Sequence, residues 1–146
     1  AGRARGVAFS LTFGAPVAQI VEIEQTASGI IVRDVWVAAD VGVALDPRNL
    51  DAQLISGVNF GLSAAIGEEI TLTDGAVDQS NYHDYPVLRM SQAPRIHTRI
   101  LENQPHIRGI GEPGTPATAP ALANAIFALT GQRLRELPLG KTVAFA

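Results

Sequence analysis

The residues best suited to chemistry lie in a segment rich in glycine and proline. Residues 108–120 read RGIGEPGTPATAP and contain one carboxylate, Glu112. This composition predicts a stiff loop before a helix, where backbone N–H groups can meet an anion or a developing negative charge. A partly desolvated carboxylate in such a loop can serve as a general base. It can equally serve only to stabilise the helix dipole, and the spacing alone leaves both interpretations open.

Other kinds of chemistry find little support in the spacing of the remaining residues. The three histidines, His83, His97 and His106, form no i,i+4 pair, and the sequence has no cysteine, so we expect no protein metal site. Asp84 can pair with its neighbour His83, but no serine lies in a GxSxG turn. The phosphate loop ending in Gly-Lys-Ser or Gly-Lys-Thr and the dinucleotide fingerprint are also absent. The sequence therefore favours neither a hydrolase nor a nucleotide-binding enzyme.

A β-hairpin is the first element that must support the glycine-rich loop. Two apolar runs within residues 15–38 are separated by a polar turn at residues 25–29. Alternation along the first run predicts one shared face, made of Val17, Gln19, Val21 and Ile23. The second run also alternates, so at least one face of the hairpin is expected to be buried.

A long helix is predicted over residues 47–67. Asp46 can accept from the free N–H groups of the first turn, and proline is tolerated at the first helical position. Apolar residues recur with the helical period at Leu50, Leu54, Val58, Leu62 and Ala65. Gly57 and Gly61 each cost roughly 1 kcal/mol relative to alanine in a helix. They therefore predict close approach by another backbone or by a ligand, and the pattern leaves both open.

The second half of the sequence completes an α+β pattern. Residues 69–77 predict a second hairpin, because Asp74-Gly75 favours a type I′ turn. An ordered loop over residues 81–94, a strand over 96–101 and a last helix from Thr115 or Thr118 to just before Gly131 follow, and then a short strand-like tail. The core face of the last helix is expected to contain Leu122, Ile126 and Leu129, flanked by Ala121, Ala125 and Ala128. We predict one α+β domain over residues 1–146, with β-hairpins and short strands packed with two main helices.

Composition limits the class of protein. With 146 residues and 47% hydrophobic content, the chain can bury one core. A net charge of -3 offers no basic surface for nucleic acid. Without cysteine the chain supplies no iron–sulfur ligand, and no apolar run approaches the ~20 residues of a membrane helix.

Two stretches together resemble a known family. Residues 35–94, which begin VWVAADVGVALDPRNLDAQLISG, and residues 109–139, which begin GIGEPGTPATAPALANAIFAL, are similar in order and spacing to large subunits of the xanthine oxidase family of molybdenum hydroxylases. Within that family they look most like isoquinoline 1-oxidoreductase and related bacterial aldehyde dehydrogenases. The resemblance covers nearly the whole chain and implies the C-terminal portion of a molybdopterin-binding region.

The resemblance assigns roles to four residues. It implies that Glu112, in the Gly-Xaa-Gly-Glu loop, is the catalytic base, and that Gln53 contacts the pterin of the cofactor. An amide both donates and accepts, which suits the mixed edge of a pterin. It further implies that Gly57 and Gly111 border the cofactor, and it assigns no protein ligand to the metal.

The resemblance also implies a cofactor, partners and a reaction. The full-length protein would hold molybdenum–molybdopterin, in its cytosine dinucleotide form, and would work with a small [2Fe–2S] subunit, the rest of the large subunit and a small-molecule substrate. It would hydroxylate an N-heterocycle or oxidise an aldehyde, with water as the oxygen source. Because the parent subunits are several times longer, we expect the chain alone to be inactive and to hold no cofactor. A non-catalytic structural or assembly domain and a small anion-binding domain remain alternatives.

Overall fold

A four-stranded sheet with two helices packed on one face forms the body of the protein. The computed structural model describes residues 2–146. In chain order the elements are β1 Arg3–Thr12, β2 Ala15–Gln25, β3 Ile30–Asp40, α1 Pro47–Ile66, β4 Leu72–Thr73, β5 Ala76–Val77, β6 Arg95–Leu101 and α2 Thr118–Thr130. Short 3₁₀ turns lie at Met90–Gln92 and Leu139–Lys141. The predicted α+β class is confirmed.

The sheet has the strand order β1-β2-β3-β6. β1, β2 and β3 are antiparallel neighbours, whereas β6 lies parallel to β3. The predicted hairpin over residues 15–38 is β2 and β3, and its four-residue shared face is fully buried as predicted. A β-bulge next to Glu22 leaves Arg33 without a partner in the β2–β3 register, so the buried positions of β3 change parity beyond it.

β1 is the element that the sequence pattern did not reveal. Its inward-facing positions are small, and Gly6 is buried because the backbone of α2 passes directly over it. Its large apolar side chains instead lie on the opposite, open face of the sheet, where Val7, Phe9 and Leu11 are exposed. A strand whose inner face is glycine and alanine gives a weak hydrophobic alternation, which explains why the pattern missed it.

Both predicted helices are present. α1 begins as expected, with Pro47 in its first turn and the Asp46 carboxylate accepting from the Asn49 N–H at 3.2 Å. The apolar residues predicted to form one stripe along α1 are all buried except Leu50, which is half-buried. α2 ends against Gly131, whose φ of 76° is the left-handed cap expected there, but Ala128 is exposed rather than beside the core. Neither helix of the described residues is long and apolar enough to cross a bilayer.

The remaining segments are short. The predicted hairpin over residues 69–77 is reduced to two-residue strands, with positive φ at Asp74 and Gly75 as a type I′ turn requires. The expected loop over 81–94 is irregular except for its 3₁₀ turn. The strand-like tail consists of a single parallel bridge between Ile30 and Phe145.

A buried carboxylate joins β6 to β3 on the open face of the sheet. Asp34 accepts from Arg95 Nε at 3.0 Å, from Arg95 Nη2 at 2.8 Å, and lies 2.9 Å from His97 Nε2. The ring of His97 stacks on Trp36 with a centroid separation of 5.4 Å. The Arg95 guanidinium and, next, the His97 imidazole hold the pKa of Asp34 below its usual range.

This lowered pKa predicts a pH-dependent contribution of Asp34 to stability. Because the folded-state pKa lies below the unfolded value, the contribution is present above about pH 4 and is lost as the pH falls through the folded pKa. Urea unfolding of the wild type and of Asp34→Asn should therefore differ most near pH 6, with the wild type more stable, and converge toward pH 3. A difference that is independent of pH would contradict this assignment.

The close contact of β1 with α2 predicts a severe effect of a single methyl group. A Cβ added at Gly6 would lie 2.1 Å from Ala125 N and 2.2 Å from Ala121 O, so backbone must move. Gly6→Ala should lower the free energy of unfolding by about 3 kcal/mol, the upper end of overpacking costs. Gly109→Ala is the matched control, because a Cβ there meets no atom within 4 Å, and its effect should stay within about 0.5 kcal/mol. Urea unfolding of both variants measures the contrast, and equal effects would refute it.

Candidate functional site

The glycine-rich loop lies directly on helix α1. A Cβ added at Gly57 would lie 3.1 Å from the Cα of Gly114, and one added at Gly114 would lie 3.2 Å from the carbonyl of Leu54. Thr115 Oγ1 donates to the carbonyl of Gly57 at 3.1 Å. The close approach predicted from the helical glycines is thus made by the loop backbone. Gly57 is buried in this contact, so any contribution of Gly57 to cofactor binding is indirect.

A second group of contacts holds the loop from below. Gln19, on the inward face of β2, donates from Nε2 to the carbonyl of Gly114. Thr118, in the first turn of α2, places its Oγ1 at 2.9 Å from Gln19 Oε1 and 3.1 Å from the same Gly114 carbonyl. The side chains of Gln19 and Thr118 have no exposed surface. The three groups form a closed polar ring inside an otherwise apolar core.

These anchors leave Glu112 on the surface. Ile110 and Pro113 on either side are buried, whereas Gly111 and Glu112 are exposed. The Glu112 carbonyl accepts from the Thr115 N–H at 2.9 Å, which closes a turn around Pro113 and Gly114. Among residues 2–146, no cationic side chain lies within 4.0 Å of the Glu112 carboxylate. The Glu112 side chain is therefore in contact with solvent in this chain, and its own residues do not provide the partly desolvated pocket that a general base would use.

Gln53 approaches the same region from α1. It is exposed, directly precedes Leu54 and lies four residues before Gly57, the two positions at which α1 touches Gly114. Its side-chain amide forms no hydrogen bond within the part of the chain that the structure describes. The segment of α1 that carries Gln53 therefore lies against the loop that carries Glu112. The side-chain amide of Gln53 is free to donate and to accept hydrogen bonds.

The surface around Gly111 can admit a ligand. An added Cβ at Gly109 or at Gly111 meets no atom within 4 Å, so the backbone there is open on its outer side. Arg108, at the start of the loop, has a buried Nε without a hydrogen-bond partner in residues 2–146. A free amide, an open glycine backbone and an exposed carboxylate fit the polar edge of a pterin cofactor. Within the same residues, no three His, Cys, Asp or Glu side chains group closely enough to hold a metal ion.

Several positions of the loop offer no backbone donor to an anion. Pro113, Pro116 and Pro120 have no N–H, and the N–H groups of Thr115 and Thr118 donate within the loop. An anion site at a helix N-terminus depends on several free N–H groups pointing outward. Two of the donors of the loop thus hold its own shape and are not free for an anion.

A cavity of about 590 Å³ lies elsewhere on α1. It is mostly apolar, and its lining includes Phe60, Tyr85 and Met90. Neither Gln53 nor Glu112 lines it. The residues singled out for chemistry therefore face an open surface and not this cavity.

The sequence pattern left Gln19 outside the site, and it included Thr118 in the segment 108–120 without giving its side chain a role. A signal existed for Gln19, because it is the one polar residue among the buried alternate positions 15–23 of β2. A polar residue at an inward position requires a partner in the core. Thr118 gave no comparable signal, because threonine at a helix start is common.

Most of the sequence that forms this sheet and these helices matches a known class of cofactor-binding domain. The family model of the molybdopterin cofactor-binding domain matches residues 2–94, and the chain belongs to this family. It is 39% identical over 98% of its length to isoquinoline 1-oxidoreductase subunit beta of Brevundimonas diminuta, covering 19% of that protein. It is 31% identical over 95% of its length to the membrane-bound aldehyde dehydrogenase [pyrroloquinoline-quinone] of Gluconacetobacter polyoxogenes, covering 18% of it.

The fold agrees with this assignment. Quinoline 2-oxidoreductase from Pseudomonas putida 86 superposes with a TM-score of 0.74 over 86% of the chain and 17% of the enzyme's chain, at 23% identity. The chain thus spans about a fifth of the length of the curated relatives that it matches. The family resemblance read from the sequence is confirmed.

Proposed function

We propose that this chain is part of the large subunit of a molybdenum-dependent hydroxylase, which hydroxylates an N-heterocycle or oxidises an aldehyde with water as the oxygen source. The observation that carries the proposal is the contact of the Glu112 loop with α1 beside Gln53, in a member of the molybdopterin cofactor-binding family. The two relatives, an isoquinoline oxidoreductase and an aldehyde dehydrogenase, support the two substrate classes. The name of the second relative includes a different cofactor, pyrroloquinoline quinone, whereas residues 2–94 of this chain match a molybdopterin cofactor-binding domain.

Gln53 and the open backbone at Gly111 are proposed to bind the cofactor, molybdenum–molybdopterin in its cytosine dinucleotide form. When bound, this group would supply the two-electron redox chemistry of hydroxylation. The Gln53 amide would pair with the pterin edge, because it has both a donor and an acceptor free. The absence of a side chain at Gly111 leaves room for the cofactor to approach the loop.

Glu112 is proposed to be the general base. Its carboxylate is exposed, pairs with no cation of residues 2–146 and sits on a loop that is anchored on both sides. A positioned carboxylate can accept a proton from a reacting oxygen during hydroxylation, and need not form a covalent bond with the substrate. Burial by the rest of the subunit would strengthen this role, because desolvation favours the protonated carboxyl.

The remaining partners are proposed from the family resemblance. A small [2Fe–2S] subunit is proposed to receive the electrons, and the cysteine-free chain itself offers no ligand for such a cluster. Residues 1–146 would form the C-terminal portion of the molybdopterin-binding region, and the rest of the large subunit would enclose the exposed side of Gln53 and Glu112. The isolated chain would then neither retain the cofactor nor turn over, because both residues lie on its open surface.

Replacing Gln53 tests the cofactor contact. Gln53→Ala in the full-length subunit should weaken cofactor binding, because a lost hydrogen bond with its partner left buried costs about 1–3 kcal/mol. The molybdenum content per subunit after purification measures the effect. Gln132→Ala, at an exposed position after α2, is the matched control. Full molybdenum content together with unchanged kinetics in Gln53→Ala would refute the contact.

Replacing Glu112 tests the general base. Glu112→Gln keeps the size and hydrogen bonding of the side chain and removes only its ability to accept a proton. The full-length variant should keep its molybdenum, while turnover of isoquinoline or benzaldehyde falls by about 10²–10⁴-fold. A residue that serves only the helix dipole would instead change stability by about 0.3–1 kcal/mol and leave turnover intact.

The exposed Glu136 provides the control for this experiment. Glu136→Gln makes the same chemical change outside the loop and should leave turnover unaltered. Near-normal turnover of a fully loaded Glu112→Gln enzyme would end the catalytic interpretation.

A further inference from the structure

The polar ring beneath the glycine-rich loop satisfies one backbone carbonyl from two directions. Gly114 O accepts from Gln19 Nε2, and Thr118 Oγ1 lies within hydrogen-bond distance of both Gly114 O and Gln19 Oε1. A hydroxyl has a single hydrogen, so Thr118 can donate to only one of these acceptors at a time. Either choice keeps all three groups bonded, provided that Gly114 stays in its place.

Directionality distinguishes this ring from ordinary packing. Gln19 lies between Val17 and Val21 on the apolar face of β2 and has no exposed surface. An apolar side chain would fill the same space without needing a partner, and burying an amide is unfavourable unless it is hydrogen-bonded. Hydrogen bonds, unlike apolar contacts, weaken steeply with misalignment. The ring therefore restrains the position and the orientation of the Gly114 peptide.

This restraint reaches Glu112 through a short, stiff path. Only Pro113 separates Glu112 from Gly114, and its ring fixes φ. The hydrogen bond from Thr115 N to Glu112 O closes the turn between them. The Gly57 contact limits the loop from the α1 side. A shift of the Gly114 peptide therefore moves the exposed carboxylate.

We propose that Gln19 and Thr118 are positioning residues, which set the place of the Glu112 carboxylate through the Gly114 carbonyl. The proposal rests on the proposed function of Glu112 and deepens it. Neither residue touches substrate or cofactor, because both are enclosed between β2, α2 and the loop. A misplacement on the order of 1 Å by a distant mutation can cost about 10²-fold in rate.

The first test removes the Thr118 hydroxyl in the full-length subunit within its complex. Thr118→Val keeps the shape of the side chain and should lower kcat for isoquinoline or benzaldehyde by about 10–10²-fold, with little change in KM and with molybdenum retained. Thr118→Ser keeps the hydroxyl and should restore most of the rate. Amide hydrogen exchange of residues 112–118 should be faster in the valine variant and normal in the serine variant.

A milder variant covers the case in which Thr118→Val does not fold. In Gln19→Met the Thr118 hydroxyl can still donate to Gly114 O, so the carbonyl keeps one partner. The kcat of Gln19→Met should also fall, by a smaller factor than that of Thr118→Val. Three outcomes would overturn the proposal. Unchanged kcat in both variants would show that the two side chains are dispensable. Failure of Thr118→Ser to restore the rate, or loss of molybdenum in both variants, would show that they only contribute to packing.

A double-mutant cycle separates this proposal from the proposed function. If Thr118 acts through Glu112, the variant with both Glu112→Gln and Thr118→Val should turn over no more slowly than Glu112→Gln alone. Multiplicative losses would overturn the positioning role while leaving the general base in place. Unchanged turnover in Glu112→Gln alone would instead refute the proposed function itself.

Discussion

The contact between two glycine backbones, Gly57 of α1 and Gly114 of the loop, is the constraint on which the site depends. A Cβ added at either position would lie 3.1–3.2 Å from the opposing backbone, which is closer than most Cβ contacts and would push the two segments slightly apart. The contact sets the distance between the helix that carries Gln53 and the loop that carries Glu112. It also brings the loop close enough for Thr115 to bond the carbonyl of Gly57. Two segments far apart in sequence thereby act as one surface.

The elements that hydrophobic periodicity governs were predictable from the sequence. α1 and the β2–β3 hairpin follow their apolar patterns because those patterns are what the core buries, and the limits of α1 follow from Asp46 and Gly67. β1 escaped prediction for the opposite reason. Its large apolar side chains face outward, and its core-facing Gly6 is small because α2 lies against it. The parallel pairing of β6 with β3 could not be predicted either. The side chains that join the two strands are Asp34 of β3 and Arg95 and His97 of β6, which lie 61 and 63 positions from Asp34 in the sequence.

For the site, the sequence indicated the exposed chemical group and not its support. Glu112 stands out by composition, as a lone acid among glycines and prolines. The roles of Gln53 and Gly57 came from family resemblance, and periodicity left two explanations for the glycine. The ring of Gln19, Gly114 and Thr118 joins residues 95 and 99 positions apart along the chain. Only the packed structure reveals which residues pair in this way. A glutamine at an inward position of β2 indicates only that a hydrogen-bond partner must exist in the core.

Polar groups are paired on the inner side of the glycine-rich loop and largely unpaired on its outer side. On the inner side every strong donor and acceptor that anchors the loop has a partner within the chain, and the anchoring atoms are buried. On the outer side Gln53, Gly111 and Glu112 are exposed, and the side chains of Gln53 and Glu112 form no hydrogen bond or ion pair among the described residues. A loop organised in this way does not need a ligand to become ordered, so little conformational entropy is lost when a cofactor arrives. The exposed side chains of Gln53 and Glu112 keep their hydrogen-bonding capacity for the cofactor and reaction proposed for them. Pre-organisation of this kind is what a proton acceptor requires, since its rate advantage depends on being in place before the reaction begins.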